Sequence, residues 1–362
     1  MTKEVKKVCL VTISLSKGGA ERSTALLSKM LVDAEFDVHI VVLTNQIDYE
    51  YSGKLLNLGK LKSKQDSLFN RFKRFKILRS YLLEHQFDFI IDSRNRQFAV
   101  KELFYLYFIY KNFKIIYAVR SFKIEMYLPK INWIAKQMIS KSTKIVGVSK
   151  AVSKRINEFY QTEKAVTIYN PVETLDVKEF NCSSKEKYIV FIGRLENRVK
   201  NINLLIEGYE LSNLRNENIR LKIIGTGSDK EHIVDKIKAL EIVDYVDFIP
   251  FTPHITDYLK NALYLVLTSH YEGFPRVLIE SLSVGIPVIS VDCQSGPNEI
   301  ILNEVNGLLI ENYNSQVLSN AMNRFVYDND LYQKCKTNAK DSVKHLNQEN
   351  IASQWIKILN YE

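Results

Sequence analysis

The sequence predicts an α/β protein made of two doubly wound parallel sheets. Short runs rich in Val, Ile and Leu recur throughout the 362 residues, with little polar–apolar alternation. Strands buried on both faces have this pattern, whereas half-exposed antiparallel strands alternate. Segments with helical spacing separate most of the runs, as parallel crossovers require. The scheme occurs twice, and a chain of this length holds about two domains.

In the first half the strand-like runs are 7–13 (KVCLVTI), 38–43 (VHIVVL), 88–92, 113–119 (FKIIYAV), 143–148 and 166–169. In the second they are 187–192 (KYIVFI), 219–224, 246–249, 263–268 (LYLVLT), 286–291 (IPVISV) and 307–310. The stretch YNPVETLDVKEFNCSSKEK carries Asn170 and Pro171 followed by polar residues, and reads as the linker. The expected division is therefore 1–170, 171–345 and a closing segment 346–362. The helical pattern of that last segment suits packing on either domain, and a return to the first is expected. Ligands of open α/β sheets sit beyond the carboxyl ends of the strands. Two such domains facing one another would make a cleft, so the motifs are read as loops leaving strands.

Composition narrows the function. Cys9, Cys182, Cys293 and Cys335 lack paired spacing, which argues against a disulfide framework or a zinc cluster and suits a reducing cytoplasm. No signal-peptide pattern opens the chain, and the longest apolar-aromatic run, LFYLYFIY (103–110), is far below the ~20 residues of a spanning helix. The net charge of +9 is unevenly placed. Residues 1–170 carry 30 Lys and Arg against 15 Asp and Glu, while 171–362 carry 20 against 26. The first half thus faces something anionic or is merely soluble by being basic. No nucleic-acid module accompanies the charge, so no nucleic-acid partner is expected.

Several loops carry candidate chemistry. In SKGGAERS, Gly18 and Gly19 permit a turn and close backbone approach, and the following helix offers free N–H groups to an anion. A plain strand-to-helix turn is an equal reading, and the full dinucleotide fingerprint is missing from both halves, which disfavours a nicotinamide enzyme. In GRLENRVKN, Arg194 and Lys200 flank a loop that opens a helix at about Asn201 and suit a diphosphate, though a solvated basic loop reads as well. The IIGTGSD turn repeats the strand–glycine–helix arrangement. In YEGFPRVLIE, Glu272 lies on a loop, Gly273 lets the backbone approach a ligand, and Pro275 fits the first helical position. Glu280 then falls about one and a half turns into a helix among apolar neighbours, so it needs a partner. The Asp-x-Asp of DND (328–330) sits between two helical patterns and reads as a capping turn, not a metal motif.

The glutamate pair of EGFPRVLIE resembles the signature of retaining nucleotide-sugar glycosyltransferases of the two-domain GT-B fold, with its two Rossmann-like domains, and the nearest group is glycosyltransferase family four. SKGGAER, GVSKAV, YNPV, GRL with KN, IIGTGSD, TSHYEGFP, GIPVISVDCQSGP and NGLLI follow in the family's order, better matched in the second half than the first. The resemblance implies that Glu280 holds the ribose hydroxyls of the donor. It implies that Glu272, with the backbone at Gly273 and Phe274, orients the transferred sugar, and that Arg194 and Lys200 neutralise the diphosphate. Pro275, Gly18 and Gly19 complete the expected donor contacts, and no cofactor or metal is expected. A non-catalytic nucleotide-binding relative is disfavoured, because all four charged residues are present. Where many relatives present a histidine, YAVRSF puts Arg120 or Ser121, and Arg120 is expected to meet an anionic group of acceptor or donor. DSRNRQ (92–97) could extend the same basic floor.

The acceptor is suggested by LFNRFKRFKILRSYLL within 68–83, where Phe69, Phe72, Phe75, Leu78 and Leu82 recur among Arg71, Lys73, Arg74, Lys76 and Arg79. Such a basic amphipathic helix can lie on an anionic membrane surface, or it is an ordinary core-facing helix with a solvated face. With the resemblance to bacterial glycan-assembly members, this points to a polyprenyl-diphosphate-linked acceptor, a UDP-activated hexose or N-acetylhexosamine, and the inner face of the cell membrane. A soluble or protein acceptor is the alternative.

Overall fold

The computed structural model describes residues 5–62, 66–96, 98–173, 186–311 and 313–360. The chain forms two compact units, one of residues 1–171 with 348–362 and the other of 172–347. The closing helix Gln348–Asn360 packs on the helix Gly19–Asp33 of the first unit, and Lys6 Nζ donates to Leu359 O at 2.9 Å.

The first unit holds β1 (Lys7–Thr12), β2 (Asp37–Val42), β3 (Lys54–Asn57), β4 (Phe89–Asp92), β5 (Lys114–Val119), β6 (Lys144–Gly147) and β7 (Ala165–Thr167). They form one parallel sheet in the order β3-β2-β1-β4-β5-β6-β7. The second unit holds β8 (Lys187–Ile192), β9 (Ile219–Ile224), β10 (Val246–Ile249), β11 (Leu265–Leu267), β12 (Val288–Val291) and β13 (Gly307–Ile310), ordered β10-β9-β8-β11-β12-β13. Both sheets are doubly wound, and the strand order reverses at β1/β4 and at β8/β11. Those are the switch points where such sheets bind ligands.

One strand escapes the periodicity. β3 is an edge strand of four residues with none fully buried, and its pairing with β2 rather than its own apolar content makes it a strand. The apolar row of 68–83 also does not keep to one face. Successive i+3 steps drift about 60° on a helix of 3.6 residues per turn, so Leu78 lies opposite Phe69. In the helix Leu68–His85, Leu78 and Leu82 are accordingly buried, while Phe69 and Phe72 are 77% and 61% exposed. Phe75 bridges the two ends by packing against Phe104 and Tyr105.

The run 103–110 closes the helix Ala99–Phe104 and continues as the wider turn Tyr105–Ile109. No described helix is long and apolar enough to cross a membrane. Asp328 caps the helix Asn329–Ser342, its side chain accepting from Leu331 N at 3.0 Å, so DND is a capping turn. Most of the expected linker, with Cys182, lies outside the described residues; Cys9, Cys293 and Cys335 are buried free thiols.

Candidate functional site

In the second unit, the loops after β8 and β11 are stitched together at the switch point. Thr268 Oγ1 donates to Lys200 O at 2.9 Å, and His270 N donates to Val199 O at 2.9 Å. The short helix Asn197–Lys200 ends at Asn201, whose left-handed φ of 47° lets the chain turn at once into the helix Ile202–Leu211. This geometry carries Lys200 Nζ to 2.6 Å from Glu272 Oε1, and Ser269 Oγ donates to the same oxygen at 2.7 Å. Lys200 and Glu272 are largely sheltered, their side chains 15% and 13% exposed, and charge-assisted bonds are strongest in such shelter. Arg194 stands outside this cluster, exposed and 3.2 Å from Glu196 Oε1 through its Nη1.

The glycines of IIGTGSD pack loop against loop. A Cβ at Gly225, whose φ is +149°, would lie 1.9 Å from Gly193 O, and one at Gly227 would lie 2.3 Å from Leu195 O. Only bare backbone fits there.

Glu280 lies in the helix Arg276–Ser283, with Pro275 at the N-cap rather than at the first helical position expected for it. Its carboxylate is buried and accepts from Arg276 at Oε1, from Nε at 3.2 Å and from Nη2 at 3.0 Å. The partner that burial demanded is thus the residue four positions earlier on the same helix face. Phe274 is buried, and Gly273 O accepts from Ser295 Oγ at 2.7 Å. A Cβ at Gly296 would lie 2.4 Å from Pro275 Cδ, so the loop after β12 clamps the Gly273–Phe274–Pro275 backbone. Ser269, Arg276, Ser295 and Gly296 were not singled out by the motifs; only Arg276 carried a signal, its i,i+4 spacing from Glu280. Burial pushes the nearby Cys293 thiol up to about 12, with the Glu272 charge adding to it, so this sulfur is a neutral thiol at pH 7.

In the first unit, Gly18 is the extended N-cap of the helix Gly19–Asp33, and the left-handed residue of that turn is Lys17, φ 51°. Ser23 Oγ donates to Gly19 O at 2.7 Å and to Asn170 Oδ1 at 2.8 Å, and Arg120 Nη1 donates to the same Asn170 oxygen at 3.3 Å. Gly19 and Arg120 are therefore linked through Ser23 and Asn170.

DSRNRQ is not a basic floor. Arg94 and Arg96 are buried and face Asp92 and Glu102: Arg94 Nη2 lies 2.7 Å from Asp92 Oδ2 and 3.1 Å from Glu102 Oε2, and Arg96 Nη2 lies 3.1 Å from Asp92 Oδ2. Arg94 stacks on the Tyr105 ring at 3.7 Å and Arg96 on Tyr117 at 4.6 Å. Burial alone would raise the Asp92 carboxyl, but the two guanidiniums outweigh it and hold the group at about 2. The motif showed the two arginines and Asp92, but not that the fold buries them together with Glu102; Gln97 lies outside the described residues.

The model of Glycosyl transferases group 1 matches residues 172–342, and that of Glycosyltransferase Family 4 matches 17–175. An uncharacterized glycosyltransferase of Haemophilus influenzae is 25% identical, covering 98% of this chain and 100% of its own. A Campylobacter jejuni relative is 24% identical, with 98% of this chain and 100% of its own covered. Its name is N-acetylgalactosamine-N,N'-diacetylbacillosaminyl-diphospho-undecaprenol 4-alpha-N-acetylgalactosaminyltransferase. Among solved structures, a TarM variant of S. aureus with UDP bound superposes with a TM-score of 0.80 at 17% identity, covering 99% of this chain and 100% of TarM. Anabaena HepE with UDP and glucose superposes at 0.77 and 16% identity, covering 98% and 99%.

Proposed function

The chain belongs to glycosyltransferase family four, and from that premise we propose that it is a retaining enzyme. It moves a hexose or N-acetylhexosamine from a UDP-activated donor to a growing glycan on a polyprenyl diphosphate. The observation that carries the reading is the meeting of Lys200, Glu272 and Ser269 at the β8/β11 switch point, with buried Glu280 on the helix that follows Glu272.

Breaking the sugar–phosphate bond leaves negative charge on the diphosphate and positive character on the sugar. Lys200 is the fixed cation for the leaving group, released from Glu272 as the diphosphate arrives, and exposed Arg194 closes on it from the loop after β8. Preorganised charge of this kind supplies a large share of rate enhancement in transferases. Glu272, with the backbone of Gly273 and Phe274, holds the sugar, and Glu280 holds the ribose. Two cations then perform the charge neutralisation for which other transferases use a divalent metal. Gly18 and Gly19 complete the donor contacts, and Arg120 meets an anionic group of acceptor or donor.

The Campylobacter relative's name supports a lipid-diphosphate acceptor, and the UDP-bound neighbours support the nucleotide. The exposed Phe69 and Phe72 beside Arg71, Lys73 and Lys76 support attachment to the anionic inner face of the membrane.

The test is UDP release by the purified chain from a panel of nucleotide sugars, then transfer to a polyprenyl-diphosphate disaccharide, with the new linkage read by NMR. The expected result is turnover of one UDP-sugar, unchanged by EDTA, with the donor's anomeric configuration kept in the product. An inverted product or an EDTA-silenced reaction overturns the mechanism, and failure with every UDP-sugar overturns the donor.

A further inference from the structure

We infer that Arg276 is a positioning residue that makes the donor site discriminate ribose from 2′-deoxyribose, an inference resting on the reading of Glu280 as the ribose ligand. Arg276 lies between Pro275 and Val277 of EGFPRVLIE, inside the spacing of the glutamate pair but not part of it. It opens the helix Arg276–Ser283, and its side chain is as buried as that of Glu280, 6% against 7% exposed. A carboxylate so sheltered from water needs a cation or donors to compensate its burial. Arg276 supplies such donors directly: its Nε and Nη2 both donate to Glu280 Oε1.

This arrangement does more than neutralise charge. Two donors from one planar guanidinium hold that oxygen in place, and the helix that carries both residues restricts the rest of the Glu280 side chain. The helix is held at its start by Pro275, whose φ of −68° suits helix entry, and at its inner face by buried Leu278, Ile279 and Leu282. The carboxylate is thus set before any ligand arrives and need not lose rotamer freedom on binding. A preset acceptor that expects two vicinal hydroxyls rejects an analogue with one, because the bond to the missing hydroxyl is lost in a sheltered site. Without the guanidinium, the Glu280 carboxylate loses the donors that hold it in place, which weakens its grip on the diol. Selectivity for the ribose is then lost before affinity for the base and phosphates.

The test measures calorimetric affinity for UDP and 2′-deoxy-UDP with the wild type, Arg276→Met, Arg276→Lys and Glu280→Gln. The wild type should prefer UDP by at least about tenfold, the value of one hydrogen bond to a charged group. Arg276→Met should bring that ratio to within about threefold by weakening UDP alone, with Arg276→Lys between the two. Arg276→Lys keeps the charge and serves where the methionine variant does not fold. A ratio kept by both Arg276 variants but lost in Glu280→Gln overturns the inference and leaves the ribose reading standing. A ratio kept in Glu280→Gln overturns the ribose reading itself. Equal weakening of both nucleotides in the Arg276 variants assigns the guanidinium to the phosphates and overturns the inference.

Discussion

Lys200 Nζ and Glu272 Oε1 lie 2.6 Å apart although 72 residues separate them in the chain. The pairing follows from topology: β8 and β11 are neighbours in the sheet, so the loops that leave them share one end of it. The pair also fixes what each substitution does. If Lys200 has the role proposed for it, Lys200→Ala should lower kcat by about 10²–10³ with a smaller effect on donor KM, because such a cation acts on charge that develops during bond breaking. Glu272→Ala should lower kcat comparably, and the double variant should cost less than the sum, since each side chain holds the other. Steady-state kinetics on the preferred UDP-sugar reads this, and near-normal turnover in Lys200→Ala removes it from the mechanism.

Arg120 is joined to Asn170, which also takes the hydroxyl of Ser23. If its guanidinium meets an acceptor anion, Arg120→Ala should raise acceptor KM about tenfold and leave acceptor-free donor hydrolysis unchanged. Unchanged KM and turnover would make it a structural arginine.

How far the sequence could be read depended on whether a feature was local. Strands with continuous apolar runs, such as 7–12 and 187–192, were legible because burial on both faces leaves one pattern. β3 was not, since an edge strand owes its conformation to its partner. The glutamates and Lys200 were legible as motif residues, but the Lys200–Glu272 contact depends on strand order, which no local window contains. Arg94 and Arg96 misled for the same reason: their charge was visible, and the fold that buries it against Glu102 was not.

The helix Leu68–His85 begins with exposed Leu68, Phe69 and Phe72, and ring contacts continue from Phe72 through Phe75 and Phe104 to Phe108, itself 63% exposed. Flotation with vesicles rich in phosphatidylglycerol should show binding that weakens as salt screens the basic residues. Phe69→Ser with Phe72→Ser should reduce it by at least about tenfold, because each ring gives up roughly 1.5–3 kcal/mol of burial. Equal binding by wild type and double variant would place the contact elsewhere.

Asp92 carries two buried arginines and accepts from Tyr110 Oη at 3.1 Å. Removing one member of a buried ion network leaves the others uncompensated, at roughly 3–5 kcal/mol. Asp92→Asn should therefore lower the thermal midpoint far more than Asp66→Asn, whose partners Arg71 and Arg74 bind it at the surface. Matching midpoints for the two variants would refute the cluster's structural weight.

His39 on β2 is fully buried, its Nδ1 2.6 Å from Tyr81 Oη and its Nε2 3.3 Å from Asp37 Oδ1, with the His85 and Phe87 rings packed on it. Burial lowers its basicity; the Asp37 charge works against that, while Lys54 and His85 add to it, and the net direction is down. The unfolded imidazole takes a proton near pH 6.5, whereas the folded one resists it to lower pH. Between those two values the unfolded state binds more protons, so stability rises with pH there and is lost as pH drops. The contribution is whole above about pH 6.5 and drains as pH drops through the folded value. His39→Phe removes the titrating group while keeping a ring in the cluster, so its thermal midpoint should fall less steeply than the wild type's between about pH 6.5 and 5. Parallel curves for the two proteins would show that His39 does not set the acid limb.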